Sequence, residues 1–505
     1  MHSAISNPIR PTSDFVTWYK KGNSLSTPVI VWLRHDLRLR DNPALFYAAQ
    51  QGPVIPVFID DTGGSDTAAD EWSPGAASRC WLHHSLDSVN QQLEGCLKLF
   101  RGDPLKILSQ LIEETGADAV FWNRCYTPQA VSRDSQIKRE LKSAGINVHS
   151  YNGSLLWEPW EISKGDGTPY KVFTPFFRNG CLSAPPPDEP LPRPGLQLVT
   201  GKDYANQISL KQLQLLPDHP WYKRISEHWE ISEDAAWKRL QQFISERLQN
   251  YQKGRDFPSL EATSTLSPYL QWGQISPRQI WYYSQQQANR PGLEDALDTF
   301  LKELGWREFS YYQLYHTPGM TRENLNQRFN HFPWRNDPDR CRDWQHGRTG
   351  FPVIDAGMRE LWQTGYMHNR VRMLAGSFLV KNQLQHWHHG ARWFWDTLVD
   401  ADLASNSASW QWVAGCGTDA APYFRIFNPV TQGQKFDPDG TYVRRYLPEL
   451  ARLPSRYIHT PWEAPESVLS EAGVILGQTY PHPVLDLKET RREALDAFGQ
   501  LKEHS

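Results

Sequence analysis

The apolar segments of this 505-residue chain change character part-way along its length. Five short apolar runs typical of buried strands come first, at residues 28–33, 53–59, 97–102, 117–123 and 146–151. Helical stretches separate them, near residues 42–50, 75–96, 104–115 and 128–144. This alternation predicts a doubly wound α/β domain over residues 28–157, with a parallel sheet covered by helices on both faces.

A proline-rich segment follows the α/β pattern. The sequence SAPPPDEPLPRPGL at residues 183–196 is incompatible with regular structure and predicts a surface linker, placed at residues 158–225. Beyond it the apolar residues follow helical spacing, so residues 226–490 are predicted to form an all-α domain. Residues 1–27 are polar and expected to be loose. No G-x-G-x-x-G fingerprint supports an ordinary dinucleotide site in the α/β domain.

The charge distribution leaves a nucleic-acid partner open. The net charge of −3 does not indicate one, but a local patch can act independently of net charge. Residues 366–395 contain no Asp or Glu and four basic residues, Arg370, Arg372, Lys381 and Arg392. This stretch is either a phosphate-binding surface or an ordinary solvated helix face, and the sequence does not decide between them.

Cysteine usage and hydropathy exclude several classes of protein. The six cysteines are scattered without a C-x-x-C pair, which argues against structural zinc and clustered iron–sulfur ligands, and no metal is expected. No signal peptide opens the chain and no apolar run reaches transmembrane length. A cytoplasmic monomer without a membrane partner is therefore expected. The 22 tryptophans exceed the needs of a core and, as a set, favour ring stacking or electron transfer.

The stretch at residues 355–429 places polar groups where a helical core should be. Arg372, Asp400, Asp402 and Asn406 interrupt runs of Leu, Phe, Val and Trp. Burying such groups is costly unless each has a partner, and a bound polar cofactor would supply partners. The pattern therefore predicts a cofactor site within the helical domain.

Seven motifs carry a resemblance to a known family. They are VWLRHDLRLRDNPAL (31–45), GRDFPSLEATSTLSPYLQWG (254–273), KELGWREF (302–309), MHNRVRM (367–373), DADLASN (400–406), WQW (410–412) and RIFNP (425–429). In this order the chain resembles the photolyase/cryptochrome flavoproteins from about residue 28 to about residue 480. The resemblance implies an α/β antenna-binding domain followed by an all-α domain that binds FAD.

The resemblance assigns the FAD contacts. It implies that Tyr251 and the hydroxyl cluster at residues 263–267 hold the diphosphate, although TSTLS alone is as readily a helix cap. It also implies an Arg372–Asp400 pair against the flavin ring, which could otherwise be a structural salt bridge. Asp402 then accepts from the ring edge, and Asn406 faces the flavin N5. The full set is Tyr251, Thr263, Ser264, Thr265, Leu266, Ser267, Arg307, Arg372, Asp400, Asp402 and Asn406.

A second implied set would bind the substrate: Glu303, Trp306, Asn369, Met373 and Trp412. It offers a carboxyl, an amide, a thioether and two aromatic walls, which suit a flat apolar ligand with a few polar groups. Members that act on (6-4) photoproducts carry histidines where this chain has Asn369 and Met373. The expected substrate is therefore a cyclobutane pyrimidine dimer, flipped out of UV-damaged DNA and split by an electron from light-excited reduced flavin.

The resemblance also implies auxiliary redox and light-harvesting groups. Trp410, Trp387 and Trp334 match a relay that carries electrons between the flavin and the surface, although each alone would more commonly be a core residue. A second chromophore is expected, with 5,10-methenyltetrahydrofolate as the candidate. Thr127 stands where folate-binding bacterial members carry Glu, so altered contacts are expected.

Two alternatives to a repair enzyme stay open at this point. One is a signalling cryptochrome, a blue-light receptor without repair. The other is a cryptochrome of the DASH type, whose pocket is similar and which prefers single strands. Asn406, Glu303, Asn369 and Met373 favour repair, because plant cryptochromes typically carry Asp at the position of Asn406.

Overall fold

The computed structural model describes residues 27–62, 72–287 and 291–501, so the expectation for residues 1–26 lies outside it. All five predicted strands form, as β1 (Val29–Leu33), β2 (Val54–Asp60), β3 (Lys98–Arg101), β4 (Ala119–Asn123) and β5 (Asn147–Tyr151). They make one parallel sheet in the order β3-β2-β1-β4-β5. The predicted helices also form, as α1 (Pro43–Ala48), α2 (Ala76–Gln92), α3 (Pro104–Thr115) and α4 (Pro128–Ser143).

The two faces of the sheet are buried against different partners. Alternate residues of β1 point to opposite sides, as the period of a strand requires. Val29 and Val31 belong to a core shared with α2 and the helical domain, whereas Ile30 and Trp32 pack with α3 and α4. Because both faces are covered, the strands read in the sequence as nearly continuous apolar runs.

The second half of the chain is helical, as predicted. Its helices are α5 (Phe173–Pro175), α6 (Lys223–His228), α7 (Glu233–Gln242), α8 (Leu248–Gly254), α9 (Ser267–Gln271), α10 (Pro277–Gln287), α11 (Glu294–His316), α12 (Pro338–Gln345), α13 (Pro352–Thr364), α14 (Asn369–Ser377), α15 (Trp387–Thr397), α16 (Leu403–Ala414), α17 (Pro429–Phe436), α18 (Thr441–Tyr446), α19 (Glu466–Ala472) and α20 (Leu487–Gln500). No strand follows β5 among the described residues. An α/β domain followed by an all-α domain is therefore confirmed.

The segment predicted as a linker packs closely on both halves. Residues 185–197 contain no helix or strand, as their prolines predict. On either side of them, however, Leu198 pairs with Val54 of the sheet, and Phe173 and Phe177 are buried in the shared core. The Phe177 ring lies where a Cβ on Gly305 of α11 would come within 2.5 Å. The segment thus joins the two halves by burial of apolar surface.

The turn after β1 docks the α/β domain onto the site described below. Arg38 is fully buried and donates to the carbonyl of Gly273 at 2.8 Å. Gly273 has φ +68°, and a Cβ there would lie 2.1 Å from the carbonyl oxygen of His35, so only glycine allows this approach. The His35 ring stacks on Trp272, with ring centroids 4.7 Å apart.

Three further observations concern metals, disulfides and membranes. In the described ranges, no cluster of three or more His, Cys, Asp or Glu side chains is placed to hold a metal ion. All six cysteines are unpaired. No helix within those ranges has the length and apolar character needed to cross a bilayer.

Candidate active site

An ion pair and a hydroxyl define the centre of the site. Arg372 of α14 donates to the Oδ2 of Asp400 at 2.8 Å and to the carbonyl of Met367 at 2.7 Å. Ser267, at the start of α9, donates its hydroxyl to the same Oδ2 at 2.6 Å. The cluster thus connects residues from three of the motifs that the resemblance placed at the cofactor, at residues 254–273, 367–373 and 400–406.

The second oxygen of Asp400 shows that this cluster is incomplete without a ligand. The Asp400 side chain is 3% exposed, and its Oδ1 has no hydrogen-bond partner among the described residues. A buried carboxylate oxygen without a donor is costly. An N–H or O–H of a bound group would satisfy it, so the residues present fit a polar cofactor such as FAD.

Asp402 and Asn406 begin helix α16 beside this pair. The Oδ1 of Asp402 caps the helix by accepting from the backbone N–H of Ser405 at 2.6 Å. Its Oδ2 accepts from the hydroxyl of Tyr311, and burial raises the pKa of Tyr311, which keeps that hydroxyl protonated. One turn on, Asn406 donates its amide to the carbonyl of Ala391 at 3.0 Å.

The predicted diphosphate-binding residues lie next to the same cluster. Tyr251 of α8 is buried between Phe243 and Phe300. Gly254, at the end of α8, packs against Ala262, which brings the hydroxyl segment at residues 263–267 alongside this helix. Thr263, Ser264 and Thr265 are half-buried, Leu266 is buried and Ser267 is exposed. Thr265 adopts a left-handed φ of +50° and accepts from Arg239 at 2.6 Å.

Arg307 lies on the side of the site that faces the α/β domain. Its guanidinium donates to the carbonyl of Ser154 at 2.8 Å and to Glu308 at 3.1 Å, and lies 4.9 Å from the Tyr311 ring centroid. Glu308 is buried and accepts from the backbone N–H of Leu156 at 2.8 Å. Tyr311 thus contacts both Arg307 and Asp402.

The predicted substrate residues lie on helices that pack around this cluster. Helix α11 packs on α8 and α16, and α16 packs on α14. Glu303 and Trp306 share a face of α11, where Trp306 stacks on Phe173 with ring centroids 3.8 Å apart. Asn369 is exposed at the start of α14, while Met373 and Trp412 are half-buried. In contrast to Asp400, these side chains reach the surface.

Glu303 has a partner that the sequence did not reveal. Its carboxylate pairs with Arg255 of the GRDFP motif at 2.6 Å, and both side chains are partly exposed. The Arg255 guanidinium also lies 5.2 Å from the Tyr251 ring centroid. A ligand that approaches Glu303 therefore meets an existing ion pair.

The histidine that precedes Asn369 has a structural role. His368, which precedes Asn369, is buried and caps α14 by accepting from the backbone N–H of Arg370 at 3.2 Å. Burial, together with Arg372, lowers its pKa to about 4. It is therefore uncharged at neutral pH and serves the helix start.

The basic stretch at residues 366–395 is not a single exposed face. Lys381 is buried and donates to the carbonyl of Arg425 at 3.1 Å, and burial lowers its pKa to about 8. Arg372 belongs to the ion pair with Asp400, and Arg370 pairs with Asp256 at 2.5 Å. The four basic residues therefore do not form one surface of either kind, because periodicity alone does not show which charges find partners inside.

The three predicted relay tryptophans lie on neighbouring elements. Trp410 of α16 is buried, and its ring lies where a Cβ on Gly390 of α15 would come within 2.0 Å. Trp387 is one turn before Gly390 on the same face of α15 and is fully buried. Trp334 is half-buried. Trp410 and Trp387 are thus both buried on packed helices, and Trp334 lies nearer the surface.

Comparison with known proteins supports one family. The model described as "DNA photolyase" matches residues 29–195, and that described as "FAD binding domain of DNA photolyase" matches residues 300–500. A deoxyribodipyrimidine photo-lyase of Agrobacterium fabrum is 47% identical over 95% of this chain and 99% of its own length. The chain belongs to the DNA photolyase and cryptochrome family. Its resemblance to these flavoproteins, predicted from the motifs, is thereby confirmed.

Two further relatives place the chain within the family. Cryptochrome-2 of Arabidopsis thaliana is 38% identical over 94% of this chain and 79% of its own length. A crystal structure of a bacterial class III photolyase from Agrobacterium tumefaciens aligns with a TM-score of 0.90 and 46% identity, covering 96% of this chain and all of that one. This photolyase-family protein thus carries both family domains.

Proposed function

We propose that this protein repairs cyclobutane pyrimidine dimers in UV-damaged DNA under light. The observation that carries the proposal is the pairing of two clusters. A buried Asp400 carboxylate with an unsatisfied Oδ1 lies among helices whose outer residues, Glu303, Trp306, Asn369, Met373 and Trp412, would supply the walls and polar groups of a lesion-binding pocket. The relatives named as photo-lyases support the same activity.

FAD would bind at the buried cluster and, in its reduced form, supply the electron on excitation by light. Arg372, Asp400 and Asp402 are held by their own hydrogen bonds, so they would orient the flavin without rearrangement. Tyr251 and the hydroxyls of residues 263–267 would hold the phosphates. Asn406 would face the ring from α16, and Arg307 would support Asp402 through Tyr311.

The outer residues would bind the flipped-out lesion. Glu303 would exchange its bond to Arg255 for a hydrogen bond to the pyrimidine and stabilise the charge that develops on it. Trp306 and Trp412 would form the aromatic walls, while Asn369 and Met373 would contact the polar and apolar edges. Extrusion costs least at a damaged pair, because such a pair stacks poorly.

Basic residues near Asn369 would hold the DNA backbone. The Arg370 guanidinium lies 4.5 Å from the Phe436 ring centroid, and Lys435 beside it is exposed. Phosphate contacts from these residues would be independent of sequence and would weaken with salt. We propose damaged DNA as the partner, a monomer as the active form and a reducing cytoplasm as the location, in keeping with the unpaired cysteines.

Trp410, Trp387 and Trp334 would pass electrons inward to re-reduce oxidised FAD.

A second chromophore, 5,10-methenyltetrahydrofolate, would bind at an exposed aromatic surface between the domains. There Trp160, 48% exposed, lies 6.2 Å from Tyr126 and 5.5 Å from Tyr315, measured between ring centroids. Tyr126 donates to Glu158 at 2.6 Å, so a carboxylate is present although Thr127 supplies none. Fluorescence of the chromophore released from purified protein tests this assignment.

Repair of a defined oligonucleotide tests the main proposal. Protein with prereduced FAD is mixed with a strand carrying one thymine cyclobutane dimer and illuminated with blue light, with a dark sample and a (6-4) photoproduct strand as controls. We expect dimer loss only in the light and only for the cyclobutane lesion. Absence of light-dependent loss, with FAD bound and DNA retained, would instead indicate a cryptochrome-type receptor.

A further inference from the structure

A cavity of about 410 Å³ opens beside Trp334, the outermost tryptophan of the proposed relay. The rings of Trp334 and Phe329 form part of its wall, and polar side chains of Arg322, Gln327 and Asn330 form another part. The cavity is separate from the residues assigned to FAD and to the lesion. Because the cavity adjoins Trp334, a ligand bound in it would lie next to the outer end of the proposed relay.

The His386 ring also lines this cavity and lies between two relay tryptophans. Its centroid is 5.2 Å from that of Trp334 and 5.6 Å from that of Trp387. Trp387 is fully buried, and the rings of His386 and His388, which both contact it, line the cavity. Burial, together with His388 and His389, lowers the pKa of His386 to about 4. At neutral pH the ring is therefore uncharged and does not repel a positive charge on either tryptophan.

The hydrogen bonds of these tryptophans oppose loss of their protons. Trp387 donates its Nε1–H to the amide oxygen of Asn324 at 2.8 Å, and Trp334 donates to the carbonyl of Phe329 at 3.2 Å. Amide oxygens are not proton acceptors in the pH range of proteins. An oxidised tryptophan here would keep its proton and its positive charge until an electron reaches it. Asn324 in turn donates to Asn330 at 2.8 Å, which fixes this acceptor to the cavity wall.

We propose that the cavity binds a small, flat, hydroxylated reductant of the hydroquinone or enediol class, which reduces oxidised Trp334. This inference rests on the relay of the proposed function. The rings of Phe329 and Trp334 suit a flat ligand, and the amides of Gln327 and Asn330 suit its hydroxyls. The donor loses one electron and one hydroxyl proton, which passes to water. Trp334 gains the electron and becomes a neutral indole again.

Binding and radical decay together test the proposal, with hydroquinone as the probe and FAD-loaded protein throughout. Hydroquinone binding is first measured in the dark by saturation-transfer NMR. The decay of the tryptophanyl radical absorbance after a laser flash is then followed against hydroquinone concentration. We expect the decay rate to saturate, with a half-saturating concentration that matches the dark dissociation constant. A rate that rises linearly, with no dark binding, would overturn the proposal.

Two variants sharpen the test. Gln327→Trp fills the cavity and is expected to raise the half-saturating concentration about tenfold, whereas Gln286→Trp, on exposed α10 surface outside the cavity, should match the parent. Asn330→Asp changes the wall by one atom and adds a negative charge, which should weaken binding of the ascorbate anion about threefold relative to hydroquinone. Parent-like behaviour of both wall variants contradicts the proposal. If no tryptophanyl radical forms in the parent, the relay fails, and the dark binding still decides whether the cavity takes this ligand.

Discussion

The two halves of the candidate active site are built in opposite ways. Around Asp400 a buried carboxylate is bonded within the chain to Arg372 and Ser267, and its Oδ1 is left without a partner among the described residues. Around Glu303 the carboxylate is partly exposed on a helix surface, as is the Arg255 side chain with which it pairs. The first arrangement suits a cofactor that stays bound. The second suits a large substrate that arrives and leaves.

Because of this difference, we expect mutations in the two halves to have different effects on stability. Removing a partner from the buried half leaves an uncompensated charge, which costs stability as well as the cofactor. Removing a partner from the open half costs little stability, because solvent replaces the lost interaction. Four changes, from the largest expected effect to the smallest, can break or sharpen this comparison.

The largest effect is expected for Asp400→Ala. It leaves the Arg372 guanidinium without its carboxylate partner, so we expect a loss of about 3–5 kcal/mol in the free energy of unfolding and purification without FAD. Urea denaturation and the absorbance of bound flavin measure the two effects. Asp298→Ala, which removes the exposed pair with Lys302, is the matched control and should change neither. Flavin content equal to that of the parent would contradict the buried-cofactor assignment.

Next comes Trp387→Phe, which separates the relay from repair. We expect photoreduction of oxidised FAD to slow at least about tenfold, because the proposed link between Trp410 and Trp334 is changed, while prereduced protein should still repair. Loss of the oxidised-flavin absorbance under blue light is the measurement. Trp281→Phe, a buried tryptophan beside Trp157, is the control for packing. Photoreduction at the parental rate in Trp387→Phe would remove this residue from the relay.

Glu303→Ala tests the open half directly. We expect a several-fold lower repair yield, because the group that stabilises charge on the lesion is missing, with FAD content retained and stability changed by less than about 1 kcal/mol. The quantum yield of repair and the melting temperature are the measurements. Glu294→Ala, at the start of the same helix, should repair as the parent does. An unchanged yield in Glu303→Ala would exclude this carboxylate from the pocket.

The smallest effect is a pH dependence from Glu308. Burial raises its pKa from 4.5 to about 7, so between these values the folded protein holds a proton that the unfolded chain has lost. Its contribution to the free energy of unfolding is therefore present at low pH and falls as pH rises through this window. Because Glu308→Gln has no carboxyl to deprotonate, we expect its free energy of unfolding to rise relative to that of the parent between pH 4.5 and pH 7. Parallel stability curves from pH 4.5 to 7 would contradict this.

The sheet was predictable because its chemistry is local. The runs that form β1 and β2 are apolar on both faces, and the flanking turns carry clear breakers, so strand and helix bounds agree within a few residues. The proline-rich segment was also predicted to lack regular structure. Its packing was not, since Phe173 and Phe177 are buried in a core that includes α11, more than a hundred residues away in the chain.

The site was predictable as a list of residues more than as a set of contacts. The resemblance implied that Arg372 and Asp400 form a pair, and the structure brings the two side chains together. Tyr311 and Arg255 were missed, although Tyr311 follows Arg307 by one turn of helix and shares its face. The partner of Arg255 depends on how α8 and α11 pack, and Lys381 appears solvated until the tertiary fold buries it. Such pairings are properties of packing that periodicity does not contain.

The most direct test of the central claim is a single-turnover measurement. Protein with dark-reduced FAD is bound to an oligonucleotide with one thymine dimer and receives one saturating flash, after which intact dimers are counted. The account predicts that the flash splits a measurable fraction of the dimers with the parent protein and a smaller fraction with Glu303→Ala. No dimers should be split in the dark. Equal dimer loss with and without the flash, or no loss in the parent although both FAD and DNA are bound, would contradict it.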